Sequence, residues 1–405
     1  MQYSNKIFRL QGKVQHYTWG GTSFIPSLLH LTNPENKPFA EYWMGAHANA
    51  PSVVTENTST ESLDKFIAQQ PENILGKQVY QKFGRLPYLF KVLDVKDMLS
   101  IQVHPAKSAA EAEFAAENEK GTPLNAPHRN YKDDNHKPEL MFAISDFWLL
   151  HGFKSPELLK AVLQNVPELN FLIPVFGENN YAALYKTAME MEQQAVNAHL
   201  QPLLDRIIPL YQQGKLQKQQ EDFWAARAAG TFNAPGTIDR GIFSIYFFNV
   251  VNLKQGEAIF QDAGILHAYL EGQNMEIMAN SDNVLRGGLT NKHIDVAELM
   301  KHVRFEPIVP QVIHGTQGSV AQEQVFLTPA GDFELRRIVI GKGDKTVINS
   351  GTAEIFLVYK GAIAVTCAQT SFALNAGESF FAVSGADVSI SAMEDAELFR
   401  ATVPS

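Results

Sequence analysis

A mainly β protein interrupted by an α-helical insertion is the fold class this sequence predicts, on three observations. From Ile7 to Pro105 short apolar or alternating runs are separated by Gly, Pro and Asn-rich turns, the pattern of β structure. Between Ser155 and about Gly230 the apolar spacing becomes helical. From Gly241 β signals return, and the tail from Ser319 is a succession of short strands of the kind that build a small sandwich or barrel. A chain of 405 residues exceeds one typical compact core. The breaks in pattern divide it into a discontinuous β domain at 1–150 plus 231–318, a helical insertion at 151–230 and a smaller β domain at 319–405.

In chain order, residues 86–93 and 99–103 read as strands, and residues 63–70 as a short helix capped by Ser62. Trp19-Gly20-Gly21 and Trp43-Met44-Gly45-Ala46-His47 set large aromatics beside glycines, which suits core packing at tight turns. Ser108 with Glu111 three residues on reads as a capping box opening a helix. Residues 121–129, with Pro123 and Pro127, read as a loop. Ser155-Pro156 is a helix start, and Leu158, Val162 and Val166 fall on one face of the helix it opens. Further helices are expected at 181–200, from Pro202, and around 219–229. Residues 242–251, apolar apart from Ser244 and Asn249, read as a strand buried on both faces, and 256–270 as strand–turn–strand. Asp295 caps a helix whose Val296, Leu299, Met300 and Val303 share a face. Tail strands are expected at 334–340, 353–359, 363–366, 379–383 and 398–402. Gly341-Lys342-Gly343-Asp344 has the wrong spacing for a phosphate loop and reads as a hairpin turn.

Composition narrows the function classes. A net charge of −9 argues against nucleic-acid and anionic-membrane binding, while leaving room for a small anion held by a few local cations. The single cysteine, Cys367, permits no internal disulfide and suits a reducing cytoplasm. Residues 1–21 lack a basic region followed by an apolar run, and no stretch of about 18 uninterrupted apolar residues exists, so neither a secretory signal nor a membrane span is expected.

The chemistry concentrates in a few segments. Tyr131-Lys-Asp-Asp-Asn-His-Lys-Pro-Glu139 packs an imidazole, two ammoniums and three carboxylates ahead of the apolar run 140–144. Pro138 biases the residue before it towards extended geometry, so the segment is a loop feeding a strand. Such a run is as readily a solvated surface loop as a binding loop. Gln102 and His104, two apart, point to one face of a strand. With Glu139 at a strand start and His267 delivered by a turn, they make a credible open site for zinc or another divalent ion. A lone buried histidine or strand-end carboxylate is more often structural; the combination from three separate strands is what points to a metal. Downstream, Glu276, Arg286, Gly287-Gly288 and Lys292 place a carboxylate and two cations in a polar stretch suited to an oxyanion, or equally to surface ion pairs.

These residues also carry a resemblance. The 131–139 segment resembles the signature of the type I mannose-6-phosphate isomerases. His267-Ala-Tyr-Leu-Glu-Gly-Gln-Asn-Met-Glu-Ile-Met-Ala-Asn-Ser-Asp-Asn-Val-Leu-Arg286 resembles that family's second signature. Trp43-Met-Gly-Ala-His47 with Ala50-Pro-Ser, and Gln102-Val-His-Pro105, resemble family segments in the same order, so the likeness covers roughly residues 10–310. The chain departs from the family pattern at Gly287, usually Ala; at Asn291, usually Pro; and at Ala48 and Asn49, where Pro and often Lys follow.

The resemblance implies a cupin-like jelly-roll catalytic core, a helical domain and a second, smaller C-terminal β-sandwich or jelly-roll domain. It implies one zinc per chain, held by Gln102, His104, Glu139 and His267. It implies catalysis with Arg286, Glu276, Lys137 and His136, and substrate binding by Ser100 and Lys292. The reaction implied interconverts mannose 6-phosphate and fructose 6-phosphate through a cis-enediol, with His136, Lys137 and Glu276 as candidates for the carbon base. A monomeric cytoplasmic enzyme acting on a small sugar phosphate is expected. The rival expectations are a metal-dependent cupin oxygenase and a non-catalytic sugar-phosphate-binding cupin.

Overall fold

The structure, a computed structural model, describes residues 5–56 and 58–404. The first four residues of the 1–21 segment lie outside these. Among the described residues the strands form an eleven-stranded, a nine-stranded and a four-stranded sheet.

The eleven-stranded sheet is built around the long strand His267–Ala279. Its C-terminal part pairs with Tyr88–Val95 on one side and Glu139–Ala143 on the other. Its N-terminal part pairs with Phe147–Phe153 and, at His267, with Gln102–Val103. The changeover coincides with a register shift between Tyr269 and Glu271, followed by Gly272 at φ 130°. A Cβ at Gly272 would sit 2.7 Å from the Asp146 carbonyl oxygen, so the bend needs glycine. The sheet thereby doubles back on itself. Leu93, Met141 and Ile259 from one half meet Phe147, Leu149 and Leu253 from the other in a shared apolar interior. This is the cupin-like jelly roll.

Strand parity sorts the side chains. In Tyr88–Val95, Tyr88, Phe90 and Val92 face outward onto the nine-stranded sheet, whereas Leu93 and Val95 face the interior. Lys91 therefore falls on the inward row, an ammonium in the apolar lining. The other face of the jelly roll carries the helical block: Trp148, Leu150 and Phe153 pack with Leu184, Tyr185, Leu204 and Trp224.

The nine-stranded sheet joins both ends of the chain. Ile7–Gln11 pairs with Ser379–Ala382 and with Val53–Glu56. Its far side packs on the four-stranded sheet through Ile338, Phe356, Ile363, Val388 and Leu398. The tail strands stand at Glu334–Ile340, Glu354–Lys360, Ala362–Cys367, Ser379–Ala382 and Ala396–Thr402, close to the positions read from the sequence.

Several local expectations are corrected. Residues 242–251 are not one strand: Gly241–Phe247 is helical and the strand is Phe248–Leu253. The wholly apolar run gives no periodicity, and burial on all sides suits a core helix as well. The helix near Ser108 starts earlier, at Lys107, with Ala106 at its cap position. Leu158 is exposed; Leu159 and Leu163 are the buried residues of Pro156–Asn165. Residues 181–200 break at Met191–Glu192 into Tyr181–Glu190 and Gln193–Gln212, the latter running through Pro202 and Pro209. Residues 99–103 are strand only at Gln102–Val103. The caps at Ser155 and Asp295 are formed: their side chains accept from the backbone N–H of Leu158 and Glu298. Ser62 occupies its cap position without a side-chain hydrogen bond.

Candidate active site

Three strands deliver the metal-ligating set. Glu139 opens the strand Glu139–Ala143, His104 follows Gln102–Val103 and His267 opens the long strand. All three are buried, and their ligand atoms lie within 4.8 Å of one another. Glu139 Oε1 is 3.4 Å from His104 Nε2, and Glu139 Oε2 is 3.4 Å from His267 Nε2. The outer nitrogen of each ring is committed to the backbone: His104 Nδ1 lies 2.8 Å from the Asn283 carbonyl and His267 Nδ1 2.9 Å from that of Ile265. A carbonyl can only accept, so each Nδ1 carries the hydrogen and each Nε2 presents a lone pair. Among the described residues both Nε2 atoms are buried without a hydrogen-bond partner. Two orphaned imidazole lone pairs around a carboxylate fit a divalent cation.

Gln102 stands directly opposite His267 in the ladder and lines the same small cavity as Glu139 and His267. Electrostatics agree with a neutral His104 beside an anion. Burial pushes the His104 pKa down to about 4, with Lys137 adding to the effect. Burial pushes Glu139 up, but Lys137, 3.0 Å away, and His104 outweigh it and hold the carboxyl well below the usual range.

Next to this trio runs a row of charges on the inward face. Glu276 pairs with Lys91 in the ladder, and Lys91 Nζ lies 3.0 Å from Glu276 Oε1 and 3.5 Å from Glu41 Oε2. Tyr269 donates to the other Glu276 oxygen at 2.8 Å, and Trp43 donates from its indole to Glu41. Burial depresses the Lys91 pKa, yet Glu276, Glu41 and Glu139 together more than reverse it, so Lys91 is firmly a cation. Glu276 is pushed above the usual carboxylate range by burial, and Glu139 and Glu41 add to this while Lys91 opposes it.

Arg286 completes the ladder: it pairs with Gln102, which pairs with His267. Among the described residues its guanidinium makes no hydrogen bond or ion pair, although it is partly buried and burial lowers its pKa. It opens onto a cleft of about 800 Å³, together with Lys91, Lys137, Ser100, Gln102, Thr290 and Lys292. A partly buried cation without a counter-ion, aimed into a cleft, is arranged for an anion from outside.

Nine of the ten residues singled out from the sequence therefore converge: Gln102, His104, Glu139, His267, Glu276, Lys137, Arg286, Ser100 and Lys292 line the cleft or the metal-ligating end of it. His136 does not converge. Its Nε2 lies 2.9 Å from Asp332 Oδ2, in the C-terminal part of the chain, and it faces neither cavity. Successive residues of an extended segment point to opposite sides, so placing Lys137 inward turns His136 outward. Sequence reading passed over Lys91 and Glu41. The available signal was parity: a Lys at an inward position of an otherwise apolar strand has to have partners.

A family model, Phosphomannose isomerase type I, catalytic domain, matches residues 7–156. The Mannose-6-phosphate isomerase of Salmonella typhimurium is 36% identical over 388 residues, covering 94% of this chain and 95% of that protein. The protein of the same name from Homo sapiens is 33% identical, with 98% of each chain covered. The crystal structure of the Salmonella typhimurium mannose 6-phosphate isomerase bound to substrate (f6p) and zinc superposes with a TM-score of 0.89 at 33% identity, covering 99% of this chain and 100% of that one. With relatives this similar along nearly its whole length, this chain belongs to the family of type I phosphomannose isomerases.

Proposed function

We propose that the chain is a zinc-dependent aldose–ketose isomerase that interconverts mannose 6-phosphate and fructose 6-phosphate through a cis-enediol. The observation that carries the reading is a cleft that holds, among the described residues, two imidazole nitrogens without hydrogen-bond partners around Glu139 at one end and Arg286 without an ion pair nearby. Gln102, His104, Glu139 and His267 are the residues that would hold zinc. When bound, zinc supplies Lewis-acid polarisation of the sugar's oxygens.

The remaining groups divide the work of moving a proton between C1 and C2. We assign Glu276 as the carbon base, because it lines the same small cavity as Glu139 and His267, and burial pushes its carboxyl above the usual range. Lys91, held charged between Glu276 and Glu41, keeps that carboxylate oriented and offers positive potential to developing enediolate charge. Lys137 is the rival for the proton, and Arg286 binds or stabilises the anion. Ser100 and Lys292 grip the phosphate. His136 has no place in the chemistry.

A coupled assay on mannose 6-phosphate, before and after chelation and after zinc is returned, tests the whole. Loss and recovery of activity is expected; full activity in metal-free protein sinks the mechanism. Exchange of the C2 proton with solvent, compared in Glu276→Gln and Lys137→Met, decides the base.

We read the chain as a monomer of the cytoplasm, with 1–150 plus 231–318 as the catalytic domain, 151–230 as the helical domain and 319–405 as the C-terminal domain. The strands Ile7–Gln11, Val53–Glu56 and Ser59–Ser62 lend themselves to the C-terminal domain's sheet. Among the described residues no helix is long and apolar enough to cross a membrane. Gel filtration with light scattering tests the oligomeric state.

A further inference from the structure

Arg286 and Lys292 sit on a segment that is not regular structure beyond Leu285–Arg286, yet it is held in an unusual backbone shape. Leu289 has φ 53°, rare for a branched side chain, and is fully buried; Gly288 has φ 121°. Such a conformation persists only when its surroundings over-determine it. On one side Ile101 does so: its N–H donates to the Gly288 carbonyl at 3.0 Å and its carbonyl accepts from Gly287 at 2.9 Å. On the other side stands Asp239. Its Oδ1 accepts from the N–H of Gly241 at 2.7 Å and of Leu289 at 2.8 Å, and its Oδ2 accepts from the N–H of Thr290 at 3.0 Å.

Asp239 is itself anchored. Its N–H donates to Asn233 Oδ1 at 2.9 Å, and the neighbouring Ile238 N–H donates to Asn197 Oδ1 at 3.0 Å, on the helix Gln193–Gln212. Among the described residues the carboxylate forms no ion pair, and the guanidinium of the neighbouring Arg240 is turned to the Met189 carbonyl. Three backbone donors are thus its whole hydrogen-bonding environment among the described residues. A carboxylate spent on fixing a loop backbone, without an ion pair, puts the rigidity of the helical block behind the cationic segment. Thr290 passes it on: its Oγ1 accepts from the Lys292 N–H at 3.1 Å.

We propose that Asp239 is a positioning residue that pre-forms the 286–292 segment, so that Arg286 and Lys292 meet the anionic substrate without first being ordered. This deepens the functional reading above and rests on it. Ordering a loop at the moment of binding weakens affinity, and a pre-formed loop avoids that loss.

The test is Asp239→Asn. The amide keeps one acceptor for Gly241 and Leu289 and turns an N–H group on the Thr290 N–H, so one end of the segment is released. The expected result is a KM for mannose 6-phosphate raised about tenfold and a kcat within about threefold, with zinc content and melting temperature retained. Unchanged KM and kcat overturn the proposal, and so does a joint loss of kcat, zinc and melting temperature, which marks a merely structural residue. Hydrogen exchange on the unaltered protein gives a second decision even if the variant does not fold. The Leu289 and Thr290 amides are expected to exchange slowly without ligand. Free exchange that becomes slow only with fructose 6-phosphate present means that the ligand orders the segment, and overturns the proposal. Failure of the functional reading shows separately: an unaltered protein inactive on mannose 6-phosphate overturns the substrate role, while the exchange data still decide whether Asp239 pre-forms the loop.

Discussion

Lys91 and Glu276 face each other across adjacent antiparallel strands, with 3.0 Å between Nζ and Oε1, on the inward side of the jelly roll. Both are buried, and Glu41 completes the triad 3.5 Å from the same ammonium. An ammonium between two carboxylates in such a place is costly to assemble and costlier to break.

Replacing Lys91 by Met leaves Glu276 and Glu41 buried without their cation. Unfolding free energy is expected to fall by about 3–5 kcal/mol, the usual cost of orphaning a buried charge, with turnover lowered at least about a hundredfold. Urea denaturation and steady-state kinetics check the two parts. A variant of full stability would mean that the triad is hydrated and contributes little to the fold.

Arg286 behaves oppositely, because it has no partner among the described residues to lose. Arg286→Ala is expected to cut turnover by about 10²–10³ while changing stability by less than about 1 kcal/mol and leaving bound zinc in place. Loss of zinc on substitution reassigns the residue to the metal site.

Acid is expected to destabilise the metal-free chain from about pH 6.5 downward. His104 and His151 are buried and their pKa values are pushed down to about 4, by burial first in each case. Below about pH 6.5 the unfolded chain takes up protons that the folded chain refuses, so stability is full above that pH and is lost as pH falls towards 4. Each histidine contributes on the order of 3 kcal/mol over that window, at about 1.4 kcal/mol per pH unit. Melting temperatures of the zinc-free protein at successive pH values check this; a flat profile between pH 7 and 4.5 contradicts it.

Glycine at position 287 has a local reason. A Cβ there would stand 2.4 Å from the Tyr185 hydroxyl, and Tyr185 is fully buried among the aromatic side chains of the helical block. Gly287→Ala is expected to cost about 1–3 kcal/mol by overpacking and to raise KM. Adding Tyr185→Phe removes the obstructing oxygen and is expected to restore most of both. Absence of coupling in that double-mutant cycle would place the strain elsewhere.

The two β halves and the helical insertion were legible in the chain because strand and helix leave different apolar periods. Caps such as Ser155 and Asp295 were legible because they act on the next turn. The run 242–251 was not, since an unbroken apolar stretch carries no period, and whether it coils or extends depends on what surrounds it. Leu158 was misread for a related reason: Leu158 and Leu159 are adjacent and equally apolar, and only docking chooses which of them is buried.

By itself the sequence singled out Gln102, His104, Glu139 and His267 as candidates to hold a metal, and Arg286 and Lys292 as the cations that accompany them. Ligand chemistry belongs to residue type, and strand alternation fixes which neighbours share a face. Only the tertiary structure decided that Lys91 and Glu41 join Glu276, that His136 turns away to Asp332, and that Arg286 is left without a counter-ion among the described residues. Those outcomes depend on cross-strand register and on packing between segments far apart in the chain. The energy of a buried charge is set by what stands about 3–4 Å away in space, not by its neighbours in sequence.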